Sequence, residues 1–380
     1  MRMTMIPNCV RLWLPHPHGR SVGTEIMSLR TLSSFLKARP LQAALTLCLV
    51  AAAASASAQD KVLNLYSARH YQTDEALYEN FTKTTGIRIQ RVEADDAGIL
   101  ARLKAEGTAS PADVILLVDA ARLWRGEQEG LFQPVKSALL EQRVPAQFRG
   151  GQTAQGAQWF GMSTRARIVI YDKSGLKASD VDTYEKLAAP ALKGMLCVRS
   201  GSHPYNLSLF GSMLEHLGPQ QTETWLKGLV ANMARSPKGG DTDQIKGVAS
   251  GECGVAIANS YYFARMMRSN KAEDQAVVEK VGVLFPNQAS WGTHVNIAGA
   301  AVARNAKNRD AAVQFLEYLT SESAQRYFAD GNNEYPVAAG AKPNAALLSL
   351  GSFKSETVPI AKVGANTAVV QQMLDRVGFK

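Results

Sequence analysis

Short apolar runs alternate with amphipathic stretches through most of this chain, and that alternation limits its fold more than any other feature. Val62 to Tyr66 reads as a strand. Residues 73 to 85 follow as a helix, with Asp74 and Glu75 in the first turn, Leu77 and Phe81 on one face and Gly86 as a stop. A second unit runs from a strand at Asp113 to Val118, through Asp119 as N-cap, into a helix that reaches Glu129 and stops at Gly130. A third has a strand at Met195 to Arg199, a loop from Ser200 to Tyr205, and a helix from about Asn206 to Leu217 that Gly218-Pro219 ends. Gly254 to Ala258 is a further strand. Strands that alternate with helices predict an α/β fold with a mainly parallel sheet covered on both faces.

The N-terminal 58 residues are expected to lie outside that fold. From Met27 the chain shows basic residues at Arg30, Lys37 and Arg39, an apolar run from Leu41 to Ala54, then Ala56-Ser57-Ala58 before Gln59. This is the pattern of a cleavable secretory signal, and the run is short for a membrane span. Residues 1 to 26 fit neither a signal nor a domain and read as an over-long start. Cys48 follows Leu47, not a small residue, which disfavours a lipid anchor.

The remaining 380 − 58 = 322 residues suffice for two domains with their own cores. Removing Arg2, Arg11, Arg20, Arg30, Lys37, Arg39 and Glu25 lowers the net charge from +9 to +4. With no basic block to track phosphates, a nucleic-acid partner is not expected. Cys197 and Cys253 remain, and an oxidising compartment would permit a disulfide between them. A buried pair of free thiols fits the sequence equally well.

The chemistry-bearing residues are tyrosines. Tyr71, Tyr205, Tyr261 and Tyr262 all fall in predicted loops that follow the carboxyl ends of three different strands, the zone where open parallel sheets bind ligands. Each alone reads as an ordinary loop or packing tyrosine, but four in equivalent positions suggest a site. Phenolate oxygen is a hard ligand that suits a hard cation. Ionising one phenol at pH 7 costs roughly 4 kcal/mol, from a pKa of about 10, so only a highly charged ion readily offsets several. Three phenolates would neutralise Fe3+.

At these residues the sequence resembles a known family. YSARHY (Tyr66 to Tyr71), SGSHPYNLS (Ser200 to Ser208) and DTDQIKGVASGECGVAIANSYY (Asp241 to Tyr262) are similar to segments of the ferric-ion-binding proteins of bacterial ABC importers. SPADVILLVDAARLW (Ser110 to Trp124) and AAVQFLEYLTSESAQRYF (Ala311 to Phe328) extend the likeness over nearly the whole mature chain. The resemblance implies a transferrin-like, two-lobed periplasmic binding fold with the ligand cleft between lobes. It also implies a monomer that carries Fe3+ to an inner-membrane ABC permease, with no catalysis. Residues 59–172 and 292–342 would form one lobe, and 173–291 and 343–380 the other. Crossover segments near Trp159 to Tyr171 and Ala289 to Asn296 would join them. Carried over by position, the iron ligands would be Tyr71, Tyr205, Tyr261 and Tyr262. Phenolates favour the ferric state, and Fe2+ stays open as the resting ion.

Several further positions are ambiguous. Some relatives ligate iron through a histidine of the first loop, which makes His70 a second candidate beside Tyr71, although adjacent residues seldom both reach one ion. His203 is weighted toward the loop surface. Asp95 and Asp96 precede a helix with Ile99, Leu100 and Leu103 on one face and read as caps before ligands. Family members can complete the iron shell with carbonate or phosphate, and Arg165, chosen over Arg167, would approach such an anion. The bland reading of either arginine is solubility on an alternating strand.

Two rival functions fit parts of the chain. An aromatic cage for an organic cation, or a pocket for an oxyanion such as a phosphonate, would use the same architecture for polyamine, thiamine or phosphonate capture. A secreted hydrolase is the enzyme alternative, but the chain has no G-x-S-x-G elbow.

Overall fold

The computed structural model describes residues 61–69 and 71–380. The expected signal segment and His70 lie outside the described residues. Among those described, no helix is long and apolar enough to cross a membrane.

Among the described residues eleven strands order the fold: β1 (Val62–Ser67), β2 (Arg88–Glu93), β3 (Val114–Leu117), β4 (Phe132–Gln133), β5 (Arg149–Gly150), β6 (Trp159–Asp172), β7 (Leu196–Cys197), β8 (Val255–Asn259), β9 (Val281–Leu284), β10 (Val295–Ala303) and β11 (Tyr335–Pro336). Parallel pairing holds where helical crossovers demand it, between β1 and β2, β1 and β3, and β7 and β8. The crossing strands enter antiparallel. β10 pairs with β3 and with the first half of β6, while β8 and β9 pair with the second half of β6. Thus β6 belongs to both sheets and, with the β9-to-β10 return, carries the chain between two lobes. β6 is 14 residues long and covers the segment expected as the first crossover, and β9 and β10 flank the second.

Two main apolar clusters pack the described residues, the larger running from β1 and β3 through β6 to one face of β8. Around β1 and β3, Leu65, Ile115, Phe81, Phe315 and Phe328 are fully buried. Around β8, Val255 and Ile257 pack with Tyr184, Phe210, Leu226 and Leu374. The helix Asp74–Thr85 ends where Gly86 takes φ +73°, a conformation that costs glycine nothing. Asp119 caps Ala120–Gln128 by accepting from the Ala121 amide at 2.8 Å, as the sequence predicts.

Gly218-Pro219 does not end its helix outright. Gly218 adopts φ 74° and ψ 171°, which kinks the chain, and Pro219 then occupies a position where a second helical stretch begins and runs to Asn232. Cys197 and Cys253 form a disulfide that joins β7 to the entrance of β8. It secures the two strands that lead toward Tyr205 and the tyrosine pair.

Candidate metal centre

Three tyrosines expected in loops sit instead in the first turns of helices. Pro204 opens the helix Pro204–Asn232, so Tyr205 is its second residue, and Tyr261 and Tyr262 follow Ser260 at the start of Ser260–Met267. Proline suits a first helical position because its missing N–H would lack a partner there. Both helix starts bring the phenols to one place: the Tyr205 and Tyr261 hydroxyls lie 3.3 Å apart, and the Tyr261 and Tyr262 rings stack at 4.2 Å. Tyr261 is 1% exposed. Tyr71, from the loop after β1, lies close enough that its charge and those of Tyr205 and Tyr261 oppose one another.

Burial is the main force on their protons. It raises the Tyr71, Tyr205 and Tyr261 pKa values above that of a free phenol, and neighbouring tyrosines raise Tyr71 and Tyr261 further. Arg165 works against this, lowering all three. The cluster therefore holds neutral phenols until a cation supplies the missing charge.

Guanidinium groups frame the rings. Arg165 stands 5.7 Å and Arg199 5.2 Å from the Tyr205 ring centre, while Arg265, one turn along the helix, covers Tyr261 and Tyr262 at 5.9 and 5.4 Å. Arg69 lies 5.0 Å over Tyr71. Arg165 is 2% exposed and donates through Nη2 to the Val118 carbonyl, whereas its Nε and Nη1 have no hydrogen-bond partner among the described residues. Arg167 points elsewhere. Its Nη1 reaches Asp241 at 2.6 Å and its Nη2 Asn206 at 2.7 Å, a tie among β6 and the helices bearing those residues. Neither arginine serves solubility, since both are buried.

His203 is partly exposed, but its ring is engaged. Its Nδ1 accepts from the Tyr205 amide at 3.2 Å, and its ring meets Tyr205 edge-on at 4.6 Å, so it caps the helix that carries the phenol. Burial, with Arg199 and Arg167 nearby, holds its pKa down at about 3, which keeps the acceptor nitrogen free of a proton. Asp95 caps its helix by accepting from Gly98 at 2.7 Å, and Asp96 accepts from the Val118 amide at 2.8 Å.

Two buried groups escaped sequence reading. Arg69, in the first loop, reaches Asp74 at 2.8 Å and Glu334 at 2.9 Å. Glu334 is 1% exposed and also accepts from Ser163 at 2.8 Å. Arg69 lay within the YSARHY motif, but no periodicity or spacing marks Glu334.

Residues 76–350 match the family model of the bacterial extracellular solute-binding proteins. Iron uptake protein A1 of Synechocystis is 45% identical over 322 residues, spanning 85% of this chain and 88% of that relative. A Trichodesmium protein solved with iron and citrate ligands has 47% identity and a TM-score of 0.80, covering 84% of this chain and all of that one. The ferric binding protein of Campylobacter jejuni gives 35% identity and a TM-score of 0.78 over 84% of this chain and all of its own. With a family model spanning well over half its length and close relatives over most of it, the chain belongs to the bacterial extracellular solute-binding proteins, among their iron-uptake and ferric-binding members.

Proposed function

We propose that the protein captures ferric iron in the periplasm and delivers it to the permease of an inner-membrane ABC importer. The cluster of Tyr71, Tyr205, Tyr261 and Tyr262 carries this reading, with its 3.3 Å approach of two phenol oxygens. Those four residues are the proposed ligands. Four phenolates around Fe3+ leave one negative charge, which the buried Arg165 balances. The free donors of Arg165 also give a carbonate or phosphate a docking point beside the ion. Capture and release need no bond made or broken in a substrate, so the protein acts as a carrier.

The two crossings provide the motion. β6 and the β9-to-β10 return are the places where lobes could hinge, opening the cleft for loading and closing it over the ion. Export by a cleaved signal places this cycle in the periplasm.

An organic-cation cage is the weaker reading because of the arginines. Arg69, Arg165, Arg199 and Arg265 already lie against the tyrosine rings, and an incoming ammonium would meet their charge. Iron analysis with a visible spectrum of protein purified without chelator tests the assignment. Ferric phenolate absorbs visible light by charge transfer and colours the protein orange to red. Colourless protein that takes up no added ferric iron would defeat the proposal.

A further inference from the structure

We propose that Glu334 is a positioning residue of the metal centre, coupling the first-loop tyrosine to Tyr205 through two buried arginines. The inference rests on the iron reading above. One carboxylate oxygen of Glu334 is fixed, since Oε2 accepts from Arg69 Nη1 at 2.9 Å and from Ser163 Oγ at 2.8 Å. The other faces Arg165, with Oε1 3.9 Å from its Nη1. Arg69 in turn lies over the ring of Tyr71 and Arg165 over the ring of Tyr205. A continuous path of charge and aromatic contacts therefore runs Tyr71, Arg69, Glu334, Arg165, Tyr205.

Neutralising Arg69 does not by itself require Glu334. Asp74 already meets Arg69 through both oxygens, at 2.8 and 3.1 Å. Arg165 differs, because Glu334 is its one carboxylate within ion-pair distance among the described residues. An arginine buried beside the phenols needs such a partner to hold its place, since an unpaired buried charge is costly.

The backbone is built to deliver this side chain. Helix Glu322–Asn332 stops at Asn333, which takes a left-handed φ of 58°, and the next residue is Glu334. Asn333 Oδ1 accepts from Arg268 at 2.7 Å and from Asn344 at 2.8 Å. Arg268 immediately follows the helix that begins with the tyrosine pair, so this corner also touches the element bearing the remaining two phenols.

Glu334→Gln tests the role, because it keeps the size and an acceptor for Arg69 and Ser163 while removing the charge opposite Arg165. Iron affinity is expected to fall tenfold or more, within the roughly 10–100-fold range of outer-shell changes, and the charge-transfer band of the iron-bound variant to shift. Unchanged affinity and band would overturn the proposal. So would a lower unfolding temperature of the iron-free variant with the band and affinity unmoved, the mark of a purely structural residue. Should the Gln variant not fold, Glu334→Asp decides, since it keeps the charge but draws it back from Arg165: reduced affinity with a shifted band supports the role, and wild-type values overturn it. Wild-type protein is measured alongside. If it binds no ferric iron, the iron reading falls and takes the proposal with it.

Discussion

The hydroxyls of Tyr205 and Tyr261 meet at 3.3 Å across 56 residues of sequence, each presented by the first turn of a different helix. At that distance the two phenols share a proton as a hydrogen bond. A metal ion that takes both oxygens must displace that proton and one more, which converts a neutral contact into a pair of ligands.

Tyr261→Phe and Tyr262→Phe should each keep the fold, because only an oxygen is lost and most packing volume stays. Iron affinity should drop beyond the roughly 10–100-fold typical of outer-shell changes, with the visible band shifted or bleached. Competition against a chelator of known affinity measures the loss. Retention of full affinity by both variants would remove the pair from the ligand set.

In the first loop the ranking of two neighbours is informative. Tyr71→Phe should weaken iron binding much more than His70→Ala, since Tyr71 is electrostatically coupled to Tyr205 and Tyr261. The opposite order in the same titration would transfer the metal bond to His70.

Acid should release the ion. Burial raises the Tyr71, Tyr205 and Tyr261 pKa values, so these phenols are protonated in the empty site and each must lose its proton on loading. Every proton displaced adds one unit to the slope of log K against pH, and affinity falls as pH falls. With three or four phenolates, the slope between about pH 7 and pH 5 should approach three to four, read by iron titration at several pH values. A flat profile is incompatible with phenolate ligation.

Base should act on the iron-free protein in the opposite sense. Above about pH 10 the unfolded chain loses phenol protons that the fold still holds, so the folded state binds more protons and stability declines as pH rises toward the raised folded values. The decline should be smaller with iron bound, since the ligand phenolates are then already formed while Tyr78, Tyr184 and Tyr335, also raised by burial, contribute in both states. Urea midpoints at pH 8 and pH 10.5, with and without iron, make the comparison.

Breaking the Cys197–Cys253 bond should destabilise without abolishing iron binding. The bridge closes a loop with a sequence separation of 56, for which chain entropy gives about 4 kcal/mol, and measured values commonly fall at 2–4 kcal/mol. A Cys197→Ala, Cys253→Ala double variant should therefore unfold at clearly lower urea, with its charge-transfer band retained.

Local signals carried much of this architecture. Gly86, Asp119 and the apolar run of β8 each perform the structural task their residue types suggest, because caps and alternation are short-range properties. The tyrosine site was legible as a set of four residues but not in its local geometry. Loops were expected because His203 is an unusual cap, acting through a ring nitrogen, and because Ser260 lies inside its helix instead of capping it. Alternation suggests that one of Arg165 and Arg167 faces solvent, but both are buried, one toward the phenols and Glu334, the other onto Asp241. Their carboxylate partners lie 74 or more residues away, at a range no periodicity reports.

Strand β6 also dictates when this protein can finish folding. Apart from short β5, its partners β8, β9, β10 and β11 all come later, the earliest starting 255 − 172 = 83 residues beyond its end. A nascent chain that has produced Trp159–Asp172 therefore exposes a long, largely apolar edge until residues up to Ala303 emerge. Pairings of such high sequence separation form slowly, and the waiting strand is open to aggregation and to holding chaperones. Neither sheet can close early, so the polypeptide stays threadable through most of its synthesis.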